Sequence, residues 1–206
     1  MQNYYNNIKK QVSQEINHFP RPVRHFILKV ILLALLWKLV YVFILYEPKT
    51  IDEPLTDFVG KNSAWVLNKL YGSDVFYSKL VWTENEFEGQ IQIGKASQIY
   101  FDKRLVLFIA NPCNGLELLV LYLIFIVALP ATLKRKLFFV VAGLFIIHFV
   151  NILRCVGLVA LLIHYDEYFN IAHHYIFKMA VYFTIFLCWF WFAKGVQFKT
   201  VPNEKK

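Results

Sequence analysis

Apolar positions along the chain gather into four long runs, at about 26–46, 115–130, 137–163 and 175–193. Lys29 and Lys38 break the first run, and Lys178 lies in the first turn of the fourth. Runs of about 20 apolar residues predict helices that cross a bilayer, because only a helix or a closed barrel satisfies its own backbone in hydrocarbon. The second run is short. The apolar residues 105–110 just before it leave open an earlier start. Lys29 lies near a span end and can snorkel, whereas Lys38 needs a partner or a wet face. The first run is too long for a signal peptide, and Tyr46-Glu47-Pro48 offers no small-residue cleavage site, so it is expected to be retained.

The pattern changes between the first and second runs. Leu55, Phe58, Val59, Trp65, Val66, Leu67 and Leu70 recur near helical spacing. They predict an amphipathic helix lying on the membrane surface. Tyr71-Gly72-Ser73-Asp74 reads as a turn. Residues 80–83, 87–93 and 98–101 have strand composition, divided by Asn85, Gly89 and Gly94-Lys95, which predicts one or two hairpins. The expected fold is an all-α polytopic membrane bundle of about four transmembrane helices with a small α/β extracytoplasmic insertion. Its parts are a basic tail (1–25), a first span (26–46), the insertion (47–106), a core of spans (107–193) and a second basic tail (194–206).

Composition narrows the class. Hydrophobic residues make up 58% and charged residues 17%, with 20 Phe, 12 Tyr and 5 Trp, and the mean hydropathy is +0.45. A soluble domain of 206 residues could not hide so much apolar surface. The net charge of +8 would fit nucleic acid only if the cations shared one soluble face. They do not. Lys9, Lys10, Arg21 and Arg24 precede the first span, Lys134, Arg135 and Lys136 follow the second, and Lys194, Lys199, Lys205 and Lys206 follow the fourth. Residues 164–173 hold no Lys or Arg, but Asp166 and Glu167. The positive-inside rule puts both termini in the cytoplasm and the insertion outside, in a multi-pass protein of the inner (plasma) membrane. Membrane lipids are then partners, and nucleic acid is not.

Three polar clusters interrupt the apolar runs: Asn111-Pro112-Cys113-Asn114-Gly115 with Glu117; His148, Asn151 and Arg154; and His173-His174. The spacing of three puts His148, Asn151 and Arg154 along one helix face. With the expected topology, Cys113 lies at the outer end of the second span. Arg154 lies about 25 Å into the third, and the histidines begin the fourth at the outer face. A thiol, a guanidinium and an imidazole in one layer suit nucleophilic catalysis: the cation lowers the thiol pKa, the histidine moves its proton, and the arginine stabilises an oxyanion. Pro112 and Gly115 fit a sharp turn into the helix, whose N-terminal dipole favours a thiolate. Other readings stay open. Arg154 can pair with Glu117 to hold the bundle, the histidines can be interfacial, and His148 is expected to bond a neighbouring helix. Cys155 and Cys188, flanked by apolar residues, read as inert. A metal site from His173, His174, Cys113 and His164 or Asp166 has none of the usual zinc spacings, so no metal or cofactor is expected.

Asn111-Pro112-Cys113-Asn114-Gly115-Leu116 before a span, then Asn151-Ile152-Leu153-Arg154, then a histidine heading the next span, resembles the exosortase/archaeosortase family. That family has a Cys-Ser-Gly-like element, an Asn-x-x-Arg element and a later His in this order. The resemblance covers roughly residues 100–195. It implies a membrane cysteine transpeptidase or endopeptidase acting on exported proteins that carry a C-terminal sorting signal: a short motif, a membrane helix and a basic cluster. The nucleophile falls on Cys113 and the arginine on Arg154. The histidine falls on His174 or His173, with His174 favoured because Tyr175-Ile176-Phe177 leads directly into the span. Asn151, Asn114, Gly115 and Glu117 are supporting residues. Asn114 stands in place of the family's serine, and Phe177 and Lys178 stand where a glycine usually follows the histidine. The alternative is a non-catalytic assembly factor whose outer segment binds a membrane partner protein.

Overall fold

The computed structural model describes residues 20–46, 49–87 and 90–196, so Lys9, Lys10, Lys199, Lys205 and Lys206 of the two tails lie outside the described residues. Helix α1 (Arg21–Val40) carries Pro22 in its first turn, where a fixed φ suits the helix, and continues through a π turn, Tyr41–Leu45. Helix α2 (Asp52–Tyr71) opens with Asp52 and Glu53, carboxylates placed at the positive end of the helix dipole. Three antiparallel strands follow, β1 (Phe76–Phe87), β2 (Gln90–Phe101) and β3 (Arg104–Ile109), in the order β1-β2-β3. Helix α3 (Leu116–Ala128), helix α4 (Leu133–His164) and helix α5 (Phe177–Lys194) complete the chain. Short helical turns from Asp166 to Ile176 lead without a break into α5.

Three helical stretches among the described residues are long and apolar enough to cross a membrane: Arg21–Leu45 (25 residues), Leu133–His164 (32 residues) and Asp166–Lys194 (29 residues). Helix α3 has 13 residues, about 20 Å of rise against a hydrocarbon core of about 30 Å. The earlier start left open by residues 105–110 is not used, because 105–109 belong to a strand paired with β2: Leu107 sits opposite Ile99 and Ile109 opposite Ser97. The strand composition seen in pieces extends into one long hairpin, with Phe76 opposite Phe101 and Phe87 opposite Gln90, plus the third strand.

Two apolar cores lie one beyond the other along α4. In one, Tyr122 and Ile126 of α3 meet Ile147 of α4 and Val181, Ile185 and Phe192 of α5. Gly143 lets the Tyr122 ring lie directly on the α4 backbone, where a Cβ would overlap it, and the Tyr122 hydroxyl donates to the Phe139 carbonyl at 2.6 Å. In the other, Val59 and Leu67 of α2 and Ile99, Leu107 and Ile109 of the sheet cover Ile152, Val156 and Val159 of α4. The insertion is therefore continuous with the bundle. The apolar positions that the spacing assigns to one face of α2 are divided between buried and exposed sites. Val59 and Leu67 are fully buried, while Phe58, Trp65 and Leu70 stay exposed. His148 meets α2 by stacking on Phe58 at 4.8 Å, and its Nε2 has no hydrogen-bond partner, so the expected bond to a neighbouring helix is a ring contact instead.

Lys134, Arg135 and Lys136, expected in a short loop, form the first turn of α4 and tie it to one end of the bundle. Arg135 Nη2 donates to the carbonyls of Trp191 (3.0 Å) and Phe192 (2.9 Å), and Lys136 Nζ donates to Val127 (2.7 Å). Phe26 packs on Phe125 at 5.5 Å, and Phe125 on Trp189 at 4.4 Å. The start of α1, the end of α3, the start of α4 and the end of α5 thus meet together. The insertion and all three polar clusters except His148 gather at the opposite end.

Candidate active site

Strand β3 delivers the chain into a 3-10 turn, Asn111–Cys113, from which α3 departs. Gly115 sits between turn and helix at φ +88, a left-handed conformation that costs a side-chain-bearing residue about 1–2 kcal/mol. The polar residues around the turn are spent on holding it. Asn114, 1% exposed, donates from Nδ2 to Asp52 Oδ1 (3.1 Å) and Thr56 Oγ1 (3.2 Å), while its Oδ1 accepts from the Leu116 amide (2.8 Å). Thr56 donates to Asn111 Oδ1 at 2.9 Å, and the Tyr41 hydroxyl donates to Asp52 Oδ2 at 3.0 Å. From α4, Asn151 Nδ2 donates to the Cys113 carbonyl at 3.3 Å. The turn is clamped between α1, α2 and α4.

Cys113, Arg154 and His173 line one cavity of about 330 Å³, walled by Leu107 to Ala110 of the β3 exit, by Cys155 and Leu158 of α4, by Phe169 and by Glu84 of β1. Arg154 Nη2 lies 3.4 Å from His173 Nε2. A guanidinium only donates, so Nε2 accepts and the ring carries its proton on Nδ1 in this arrangement. Phe169 stacks on His173 at 5.6 Å and 4°, which fixes the ring plane. Arg154 is buried, and its Nε has no hydrogen-bond partner, so the guanidinium keeps donor capacity for a further acceptor.

Of the two histidines, the structure places His173 against Arg154 and in the cavity that Cys113 also lines. His174 is exposed, its Nδ1 donates to the Asn170 carbonyl at 3.0 Å, and it does not line the cavity. Direct chain entry into the span from His174 carries little weight, because a π turn over Ala172–Ile176 sets which ring turns inward. Glu117 lies in a second cavity with Lys38, and Arg154 contacts His173 instead of pairing with it. His164 bonds the Tyr71 hydroxyl at 3.0 Å, and among the described residues no three of His, Cys, Asp and Glu are grouped as metal ligands.

Sequence reasoning missed Asp52 and Thr56, the partners that hold Asn111 and Asn114, and Tyr41, which bonds Asp52. The acid opening a helix and the Thr one turn later were a visible signal for the first two. Phe169, Glu84 and the cavity-lining position of Cys155 carried no local signal; only the fold brings them to the site.

A family model described as transmembrane exosortase matches residues 21–191. No curated protein and no solved structure matches the chain. The match runs from the first residue of α1 to within a turn of the end of α5, and so takes in the whole clamp and cavity. The chain belongs to the transmembrane exosortase family.

Proposed function

We propose that the protein is a membrane cysteine transpeptidase or endopeptidase that processes C-terminal sorting signals of exported proteins at the outer face of the membrane. The observation that carries this reading is the sharing of one cavity by Cys113, Arg154 and His173. In the proposed reaction the Cys113 thiol takes Arg154's place at His173 Nε2 and yields its proton there. The sulfur attacks a peptide carbonyl, and the oxyanion draws on Arg154, whose Nε lacks a partner. The tetrahedral intermediate collapses and expels the amine of the C-terminal piece, which takes the proton from the imidazolium. A thioester on Cys113 remains. An incoming amine or a water molecule attacks it, passes a proton through His173 to the leaving sulfur, and frees the product. Asn151 holds the carbonyl of Cys113 and so positions the nucleophile. A substrate with its own membrane helix would present the bond just outside that helix, at the level of the cavity.

The test is co-expression with a tripartite exported protein. Cys113→Ala, present at the wild-type level, leaves the precursor unprocessed, and the wild type gives a covalent adduct released by hydroxylamine. Normal processing by the Cys113→Ala protein would overturn the reading and leave a non-catalytic assembly role.

A further inference from the structure

The turn that carries Cys113 has a second face. Asn111, Pro112 and Asn114 line a separate cavity of about 260 Å³, closed by α1 and α3. Among the described residues its charged groups are Lys38, Lys49, Asp52 and Glu117, two cations and two carboxylates that formally cancel. Asp52 is satisfied by Tyr41 and Asn114, and Lys49 has partners of its own. Lys38 and Glu117 are exposed to the cavity and have neither hydrogen bond nor ion pair among the described residues. An unpaired ammonium and an unpaired carboxylate in a membrane-spanning seam are costly to hold. The walls between them are aromatic: Trp37, Tyr41 and Tyr46.

Trp37 also borders a groove of about 300 Å³ that is apolar throughout, lined by Leu33 and Leu36 of α1 and by Val120, Ile124 and Val127 of α3. It follows about two turns of each helix, roughly 10 Å. Such a groove takes a length of acyl chain. Helix α1 has no buried residue and packs on the bundle through this seam.

We propose that a zwitterionic glycerophospholipid of the surrounding bilayer binds in the α1–α3 seam, its headgroup in the polar cavity and an acyl chain in the adjoining groove. The phosphate meets Lys38. The head ammonium meets Glu117 within the aromatic walls, where cation–π attraction adds to the ion pair. The balanced charge of the cavity favours a zwitterion over an anionic head. Bound there, the lipid touches the opposite face of the turn from Cys113 and completes the wall that α1 provides. The inference is independent of the reaction proposed above.

Native mass spectrometry of the delipidated full-length protein tests it. Phosphatidylethanolamine, phosphatidylcholine and phosphatidylglycerol are offered separately at equal concentration. The two zwitterionic lipids are expected to be retained about threefold or more over the glycerol lipid. The double variant Lys38→Met, Glu117→Gln should lower their retention about fivefold. Val120→Trp, which fills the groove, should do the same, and Phe183→Ala on the exposed face of α5 should leave it unchanged. Equal or better retention of phosphatidylglycerol would overturn the proposal. So would zwitterionic adducts that survive both the headgroup and the groove variants, or a dimer mass that appears in place of lipid.

Discussion

Asn114 ties three elements with one side chain, since its amide reaches Asp52 and Thr56 of α2 while its oxygen caps the Leu116 amide of α3. Asn114→Ala orphans the buried Asp52 Oδ1 and that amide together. It is expected to lower stability by about 1–3 kcal/mol, read as a fall in thermal midpoint in detergent. Gly115→Ala acts one residue on and differently. Its backbone needs a positive φ, and a new Cβ would stand 3.2 Å from Asn151 Nδ2. The variant should shift the turn and cut substrate processing more than its strain of about 1–2 kcal/mol cuts thermal stability, which paired activity and melting measurements separate. The two histidines part company most sharply. Under the proposed chemistry, His173→Ala loses about 10²–10⁴-fold in processing rate, whereas His174→Ala stays near wild type because its ring faces away from the cavity. Equal losses in both variants would remove His173 from the proton-transfer role.

At the level of elements, the short α3 is the one that needs its neighbours. With 13 residues it cannot match the hydrocarbon thickness by itself, and its ends are completed by others: the clamped turn above, and Lys136 Nζ on the Val127 carbonyl below. Arg135 performs the same service for α5, bonding two terminal carbonyls while its guanidinium lies 5.1 Å from the Phe139 ring centre and 5.6 Å from that of Phe192. Arg135→Ala is expected to cost about 1.5–3 kcal/mol, the range for hydrogen bonds to a charged group. Thermal unfolding of the purified variant should show the drop, and Arg135→Lys should recover only part of it, since an ammonium cannot reproduce the planar fork over two rings. Lys134, Arg135 and Lys136 signal topology in the sequence, and the last two also bond helix ends.

For the whole molecule, the grouping of basic residues 134–136 with the ends of α1, α3 and α5, opposite the insertion, makes sidedness testable in one experiment. In a Cys113→Ala background, an impermeant thiol reagent added to intact cells should label Ser73→Cys in the α2–β1 turn. It should leave Lys134→Cys unlabelled until the membrane is permeabilised; the reverse pattern would invert the proposed orientation. Much of this arrangement was legible in the chain itself. Hydrocarbon enforces long apolar runs, and loop charge biases orientation, so spans at α1, α4 and α5 and the α/β insertion follow from local pattern. The order of Cys113, Asn151, Arg154 and a histidine pair was legible for the same reason, because polar residues stand out where they are expensive. Three things were left to the tertiary structure. Residues 105–110 are apolar enough for a helix or a strand, and only pairing with β2 decides for the strand. His173 and His174 are equivalent as letters, and only the pitch of the π turn and the Phe169 stack turn one ring toward Arg154. Asp52, more than 50 residues from Asn114 in the chain, becomes its partner only when α2 folds back onto the turn. Local energetics of transfer into lipid are written residue by residue, but the partners of a buried polar group are chosen by which backbones meet, and that is a property of the packed chain.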